Sequence, residues 1–442
     1  MNERPKGQSL VGLVTTDFSS ITRGRFVTAA RLEKTSQTGV GWVNANISLG
    51  PFNAIVGESP WGSSGDLRLI PDMAARYTTH LTGRATPFDV VMSDITTLEG
   101  EAWSCCSRTM LREAVADFTR ETGLTVTGAF EHEFHLDAPD LPPAHSFGLS
   151  ALRRTEPFAT NLVQALEEAG IEPEVIIAEY GEDQFELANG PADALTAADR
   201  AVALREITRE MAEALGWKAS FAPKVSPDGV GNGVHIHFSF TAPDGGAAAY
   251  DADAPGRLSK VAGAFCAGIL RHMRALTALT APSVPSYYRL QPHHWSAAWT
   301  WLGDKDREAS LRICPTVTIG GKDPGRQFNV EYRAADACAN PYLAFAAIIR
   351  AGLEGIRAGL PTPPLFTGDP ELLTPREREA LGLYRLPQTL PEALEALEED
   401  KTVCGWFAPE FLATYLGLKR DEVAKFAATD PKEICETWAR VI

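Results

Sequence analysis

At about residue 100 the chain changes texture, and that change limits the folds open to it. Residues 8 to about 100 read as short strands, such as Leu10–Val14 and Val90–Met92, punctuated by Gly and Pro. The stretch from Gly57 to Gly65 is a loop by composition. Beyond Thr109, short strands carrying charged residues alternate with long helices. Arg112–Glu121 is amphipathic and stops at Gly123. Ala192–Leu215 is the clearest helix, with Leu204, Ile207, Met211 and Leu215 on one face and Gly216 as its stop. Residues 340–359 and 388–399 also carry helical spacing. Strands first and a mixed pattern second predict an α+β protein: a small N-terminal β domain over 8–100 and a larger body over 101–442. No internal repeat or low-complexity linker interrupts either part.

The charge balance, 57 acidic against 41 basic residues for a net −16, would repel nucleic-acid phosphates and argues against a nucleic-acid partner. The seven cysteines (105, 106, 266, 314, 338, 404 and 435) form no C-x-x-C pair and no zinc-type spacing. They read as reduced thiols of a cytoplasmic protein, the alternative being a redox-active Cys105–Cys106 pair. A polar stretch from Met1 to Leu10 gives no secretory signal, and no run of 18 apolar residues offers a spanning helix, so no membrane role is expected.

Four segments carry chemistry. In Ala129–Leu136 strand alternation puts Glu131, Glu133 and His135 on one face and His132, Phe134 and Leu136 on the other. Neighbouring carboxylates repel unless they share a cation, although a solvent-facing strand edge would tolerate them too. Glu179 ends an apolar strand, and a Gly-containing turn leads to Glu186, a reversal able to bring both acids to one point or simply to form a surface hairpin. Gly229–Ser239 is a Gly-rich loop followed by a strand with His235, His237 and Ser239 on one face, suited to a ligand or to a packed histidine pair. Finally Arg289, Arg307, Arg312 and Arg333 supply guanidinium forks for carboxylate or phosphate, or ordinary structural ion pairs. Acids for hard cations, a His pair and several arginines suit metal-assisted phosphoryl transfer, and a two-metal hydrolase would need much the same set.

In this order the motifs resemble the glutamine synthetase family from about residue 10 to the end of the chain. The matching stretches are Asp66–Asp72, Glu131-His132-Glu133-Phe134, Glu179-Tyr180-Gly181 with Gln184-Phe185-Glu186, Phe221–Lys224, Gly231–His237, Arg307–Arg312, and Glu331-Tyr332-Arg333 leading into Ala339–Ala344. The resemblance implies a β-grasp N-terminal domain and a catalytic domain built on a curved antiparallel sheet flanked by helices. It also implies an ATP-dependent ligase that activates glutamate as γ-glutamyl phosphate and passes it to an amine, with two or three Mg²⁺ or Mn²⁺. Glu133, Glu179 and Glu186 would hold one ion, and Glu131, His235 and Glu331 a second. His237, Arg307 and Arg312 would contact ATP phosphates, Ser239 would lie near the adenine, and Gly231, Arg289 and Arg333 would orient glutamate and the phosphoryl group. Stacked rings, most often a homododecamer of two hexamers, are implied as well.

Three positions depart from the ammonia-using pattern. No aspartate occurs between Asn44 and Ser64, where such members carry an Asp-Gly-Ser-Ser-type loop. Trp295 stands six residues after Arg289, where they carry a flap glutamate. Val230 replaces a frequent Asn. An ammonium site needs carboxylates, whereas an indole suits an alkylammonium by cation–π and apolar contact, worth about 1 kcal/mol. The resemblance is therefore to the γ-glutamylamine branch. With no acids visible near these loops for a distal ammonium, the expected substrate is a small monoamine such as methylamine or ethylamine, with Trp295 against it. A γ-glutamylpolyamine synthetase, an ammonia-using glutamine synthetase and a non-catalytic ring protein are the alternatives.

Overall fold

The computed structural model describes residues 9–57 and 59–442. The expected start of the first domain at residue 8, and nearly all of the polar stretch Met1–Leu10, lie outside the described residues, as does Glu58 within the loop from Gly57 to Gly65.

The first hundred residues supply β1 (Leu10–Thr16), β2 (Thr22–Thr28), β3 (Val40–Val43), β4 (Asp66–Thr79) and β5 (Phe88–Thr96). They form one sheet in the order β2-β1-β5-β4-β3. Only β1 and β5 run parallel. The parallel pairing of first and last strand, with a short helix at Leu32–Thr38 in the crossover, is a β-grasp arrangement. Asn44–Ser48 forms a 3-10 turn between β3 and the loop that follows.

The rest of the chain builds a second sheet from β6 (Thr125–Asp137), β7 (Pro173–Ala178), β8 (Gln184–Asn189), β9 (Ala192–Asp193), β10 (Lys218–Ser220), β11 (Val234–Thr241), β12 (Leu302–Asp304), β13 (Leu311–Ile313) and β14 (Val330–Tyr332). The main path is β12-β13-β14-β11-β6-β8-β7, antiparallel except for β12 with β13, and β9 and β10 pair with β6. β6 sets the two faces. Its even-numbered residues from Val126 to Leu136 are buried, while Thr127, Ala129, Glu131, Glu133 and His135 face a partly open side.

Helices cover the buried face. Phe130 meets Phe345 of the helix Pro341–Arg357 edge-on, with ring centroids 5.8 Å apart. Phe240 meets Phe265 of the helix Lys260–Thr280 at 4.9 Å. Those two helices cross at glycine: a Cβ on Gly268 would lie 2.1 Å from the Ala351 carbonyl oxygen, and one on Gly355 2.1 Å from that of Ala264. Only residues without side chains permit that approach.

Most expected helices form close to where they were read, at Ser107–Thr122, Ala194–Ala214, Pro341–Arg357 and Leu390–Glu399. Gly123 and Gly216 end the first two with φ of 73° and 77°. The second begins at Ala194 rather than Ala192, because Ala192 and Asp193 pair with β6 and the Asp193 carboxylate accepts the Thr196 N–H as N-cap.

Buried polar groups join the two sheets. Asn340 caps its helix through the Leu343 N–H and donates from Nδ2 to the carbonyls of Thr16 and Asp17 at 2.9 and 3.0 Å. Arg108 pairs with Asp72, Asp94 and Asp199 at 2.8, 3.2 and 2.8 Å. All seven cysteines are free, and burial pushes the Cys105 thiol up to about 12, which removes the thiolate that a redox pair would need. No helix of the described residues is long and apolar enough to cross a membrane.

Candidate active site

Strand register alone collects most of the acids. On the open face Glu131 lies opposite His235, and Glu133 opposite Glu186. Glu331 lies opposite both His237 and Arg312. β8 reverses from β7 through a tight turn in which the Glu179 N–H donates to the Gln184 carbonyl at 2.8 Å. That turn brings the Glu179 charge to Glu133 and Glu186, raising both carboxyls.

The result is five carboxylates around two imidazoles, with unequal charge states. Burial lifts Glu133 to about 7, against the pull of Arg289 and the Gly233 N–H, which donates to its Oε2 at 2.6 Å. Burial and then the charges of Glu131, Glu133 and Glu179 push Glu186 far above the usual carboxylate range. On the other side, burial opposes ionisation of Glu331, but Arg333 and the histidines outweigh it and bring the carboxyl down to about 2. Glu131 is likewise held well below the ordinary range, because His237 and His235 overcome its burial. Burial and Arg333 hold His235 down at about 4, so it is a neutral imidazole at pH 7.

These residues fit divalent cations. Oε2 of Glu131 is 3.4 Å from His235 Nδ1 and 3.2 Å from His237 Nε2, which is also 3.3 Å from Glu331 Oε2. His237 Nε2 is buried with no hydrogen-bonded partner among the described residues in spite of those distances. One ligand atom each from Glu131, Glu186 and His235 fall within 4.8 Å of one another. Acids crowded until one must stay protonated are the electrostatic mark of a site whose charge balance includes a cation.

The arginines tie this floor to the surrounding loops. Arg333 is buried, donates to Glu331 Oε1, and reaches the carbonyls of Arg307 and Trp295 at 3.0 and 3.1 Å. Arg312 donates to the same Glu331 oxygen at 3.0 Å. Arg289 is buried, donates from Nη2 to the Arg333 carbonyl at 3.1 Å, and leaves Nη1 without a partner among the described residues. Gly231 and Gly233 make room for it: a Cβ on Gly231 would lie 2.7 Å from Arg289 Cγ, and one on Gly233 2.5 Å from Nη2. Arg307 is the exception. Its carbonyl holds Arg333, but its guanidinium is exposed and makes no hydrogen bond or ion pair among the described residues. Val230 packs by Gly181, where an added Cβ would come within 3.2 Å of its own.

Beside the acids a cleft of about 480 Å³ runs along the sheet, lined among others by Glu131, His237, Ser239, Arg326 and Asn329. Ser239 donates to the Phe328 carbonyl at 2.7 Å. Several residues here were not singled out from the sequence. Asn329 Oδ1 sits 2.9 Å from His237 Nδ1 and sets the ring. Asn232 accepts from Gln184 Nε2 at 2.9 Å and donates to the Ala222 carbonyl at 2.8 Å, which fixes the Gly-rich loop. Cys314 lies 3.7 Å from His237 Nδ1 and 3.6 Å from Glu331 Oε2. Asn232 and Asn329 could have been read from the motifs that contain them, whereas nothing in the cysteine spacing marks Cys314.

The loop around Trp295 overturns one expectation. Acids do stand near it. The Trp295 N–H donates to Glu308 at 2.7 Å, and His293 Nε2 is 3.7 Å from Asp369 and 3.5 Å from Glu371. Trp295 is 64% exposed, with its indole free to cover a ligand. His293 and Trp295 both hold positive φ, 62° and 52°, a costly conformation of the kind that clusters at ligand clamps.

Comparison with known proteins identifies the family. The family description "Glutamine synthetase, catalytic domain" matches residues 104–436, and "Glutamine synthetase N-terminal domain" matches residues 3–103. The γ-glutamylpolyamine synthetase GlnA3 of Streptomyces coelicolor is 35% identical, covering 98% of this chain and 94% of the relative. The glutamine synthetase of Pyrococcus furiosus is 29% identical, over 91% and 88%. A solved structure described as a novel glutamine synthase homolog superposes with a TM-score of 0.91 at 42% identity, covering 100% of both chains. Apo GmaS superposes at 0.79 with 27% identity, over 95% and 94%.

Proposed function

The chain belongs to the glutamine synthetase family and is an ATP-dependent carbon–nitrogen ligase, and on that premise we propose that it joins the side-chain carboxylate of glutamate to an organic primary amine carrying a second positive charge. One observation carries the choice of amine: the flap position holds an exposed tryptophan with three carboxylates, Glu308, Asp369 and Glu371, beside its loop. An indole offers an alkylammonium an apolar and cation–π surface, and outlying carboxylates suit a distal ammonium. The 35% identity to a γ-glutamylpolyamine synthetase supports the same reading.

The residues divide the work as follows. Arg289, with a buried and unpaired Nη1, orients glutamate, and Gly231 lets that guanidinium lie against the loop. His237 and Arg312, with Arg307 once its exposed side chain folds in, hold the ATP phosphates, and Ser239 lies toward the adenine end of the cleft. A carboxylate oxygen of glutamate attacks the γ-phosphorus and ADP departs, leaving γ-glutamyl phosphate. Arg333 faces the charge that gathers there, since its own bonds to Glu331 and two carbonyls keep it in place. The reacting ammonium first loses a proton to solvent; the neutral amine nitrogen then attacks the acyl carbon, and the departing phosphate takes the second proton from it. Trp295 closes over the site and excludes the water that would hydrolyse the acyl phosphate. Glu133, Glu179 and Glu186 would hold one Mg²⁺ or Mn²⁺ and Glu131, His235 and Glu331 another, ions that when bound withdraw negative charge from the phosphoryl oxygens.

Self-association into stacked rings, a homododecamer, belongs to this reading. The exposed Leu10 and Phe26 on the β1–β2 hairpin support it, and light scattering would read it directly. The seven free thiols support a cytoplasmic location.

The test of the amine is phosphate release dependent on ATP and glutamate, with ammonium, methylamine, ethylamine, putrescine and spermidine as acceptors. The highest kcat/KM should come with putrescine or spermidine. Highest activity with ammonium would overturn the reading, and highest activity with methylamine or ethylamine would return the choice to a small monoamine.

A further inference from the structure

The loop that carries Trp295 is held in a conformation its own sequence does not favour. His293 and Trp295 have φ of 62° and 52°, and neither is a glycine. Such a backbone persists only where neighbouring groups fix it from several sides. At Trp295 those groups belong to two other segments. The Glu308 carboxylate accepts the Trp295 N–H at 2.7 Å, and Arg333 Nη2 donates to the Trp295 carbonyl at 3.1 Å. The next residue is anchored as well, since the Ser296 hydroxyl lies 2.7 Å from the Arg289 carbonyl and 3.0 Å from that of Gln291.

Glu308 lies in the loop between β12 and β13, directly after Arg307. Its N–H donates to Asp306 Oδ1 at 3.0 Å and Ala309 beyond it is buried, so the carboxylate is presented from a fixed turn. Burial pushes the Glu308 carboxyl up, while the backbone N–H groups of Trp295 and His293 pull it back toward the ionised acceptor. Arg333 closes the arrangement from the other side, its Nε reaching the Arg307 carbonyl at 3.0 Å while Nη2 reaches Trp295. The Arg307–Glu308 turn and the tryptophan loop are thus linked twice, once through the Arg333 guanidinium and once through the Glu308 carboxylate. Asp369 and Glu371, by contrast, meet the loop at the His293 side chain.

We propose that Glu308 is a positioning residue for the second half of the reaction, its carboxylate clasping the backbone of the tryptophan loop so that Trp295 stays over γ-glutamyl phosphate. The role rests on the reading of Trp295 as the cover of that intermediate. Water that reaches the acyl carbon returns glutamate and phosphate, so every opening of the cover before the amine attacks consumes one ATP and yields no amide. The clasp needs an acceptor for the Trp295 N–H rather than a negative charge, and it works in the same way for every amine.

The full-length enzyme would be assayed for phosphate released from ATP and glutamate without amine, as a fraction of the rate of amide formation with its best acceptor amine. In Glu308→Ala that fraction should rise at least about fivefold, because the loop loses its acceptor. Glu308→Gln keeps an oxygen at the same place and should return the fraction to within about twofold of wild type. Hydrogen exchange of residues 291–296 should quicken in Glu308→Ala and not in Glu308→Gln. Trp295→Ala, which removes the cover itself, should leak phosphate too. A leak in Trp295→Ala with tight coupling in Glu308→Ala would overturn the clasp alone, whereas tight coupling in both would overturn the cover and the clasp together. Equal leaks in Glu308→Ala and Glu308→Gln, or unchanged exchange in Glu308→Ala, would also overturn the proposal.

Discussion

Replacing Glu133 by Gln should stabilise the protein without metal and weaken it with metal. Glu133 has its carboxyl pushed up to about 7, chiefly by burial. An acid whose folded value exceeds its unfolded value of 4.5 costs no stability below 4.5. The cost grows as pH rises and is complete above 7, because the unfolded chain then releases a proton that the folded one must also surrender against its environment. At pH 8 the shift corresponds to a ceiling of about 3 kcal/mol, and the partly open face of β6 trims it to about 2. Gln keeps the shape and an oxygen for the Gly233 N–H while removing the charge. For a chain of 442 residues the unfolding entropy is about 0.9 kcal/mol per kelvin, so the metal-free variant should melt about 2 °C above wild type at pH 8. Mn²⁺ at a hundred times its dissociation constant should stabilise wild type by about 2.7 kcal/mol, near 3 °C, and the variant by far less. Differential scanning fluorimetry at pH 8 with EDTA and then with Mn²⁺ should therefore show the two melting curves exchange order. A variant less stable than wild type in EDTA, or one with an undiminished Mn²⁺ shift, would refute the view that these acids repel one another until a cation is bound.

Other perturbations probe neighbouring parts of the account. Buried His132 is pushed down to about 3 by its burial and by Arg205, so the folded chain stays neutral there while the unfolded chain takes up a proton below 6.5. Wild type should thus lose about 2 kcal/mol from this residue between pH 6.5 and 5, and urea denaturation of His132→Gln should show a flatter pH dependence in that window, equal slopes arguing against it. Gly231→Ala places a Cβ 2.7 Å from Arg289 Cγ and should cost about 1–3 kcal/mol of fit, seen as a rise of about five- to 150-fold in the glutamate KM. An unchanged KM would remove Arg289 from the glutamate site. Asn329→Ala leaves His237 Nδ1 without its acceptor, and the ATP KM should rise about five- to tenfold with little change in melting temperature. A large melting shift without a KM change would make Asn329 a structural residue only.

The sheet face was legible because strand periodicity is two: the alternation through Ala129–Leu136 and Val234–Ser239 shows which acids and imidazoles share a side. The reversal between Glu179 and Glu186 was legible from its glycine and its length. Register between distant strands was not, since pairing Arg312 with Glu331 and Glu331 with His237 depends on how the whole sheet assembles. For that reason Cys314, unremarkable among seven cysteines, became part of the site only once β13 lay beside β14. The acids beside Trp295 were hidden in the same way, because Asp369 and Glu371 reach His293 across more than seventy positions. Arg307 shows the opposite limit, as its motif marks the residue but its side chain is exposed and makes no hydrogen bond or ion pair among the described residues.

The most direct measurement of the central claim is a competition. The enzyme would be given glutamate, ATP and Mg²⁺ or Mn²⁺ with equal concentrations of ammonium and putrescine, and the amides formed would be counted by mass spectrometry. The account predicts γ-glutamylputrescine as the dominant product, formed with one equivalent of phosphate. Glutamine as the dominant product would contradict it.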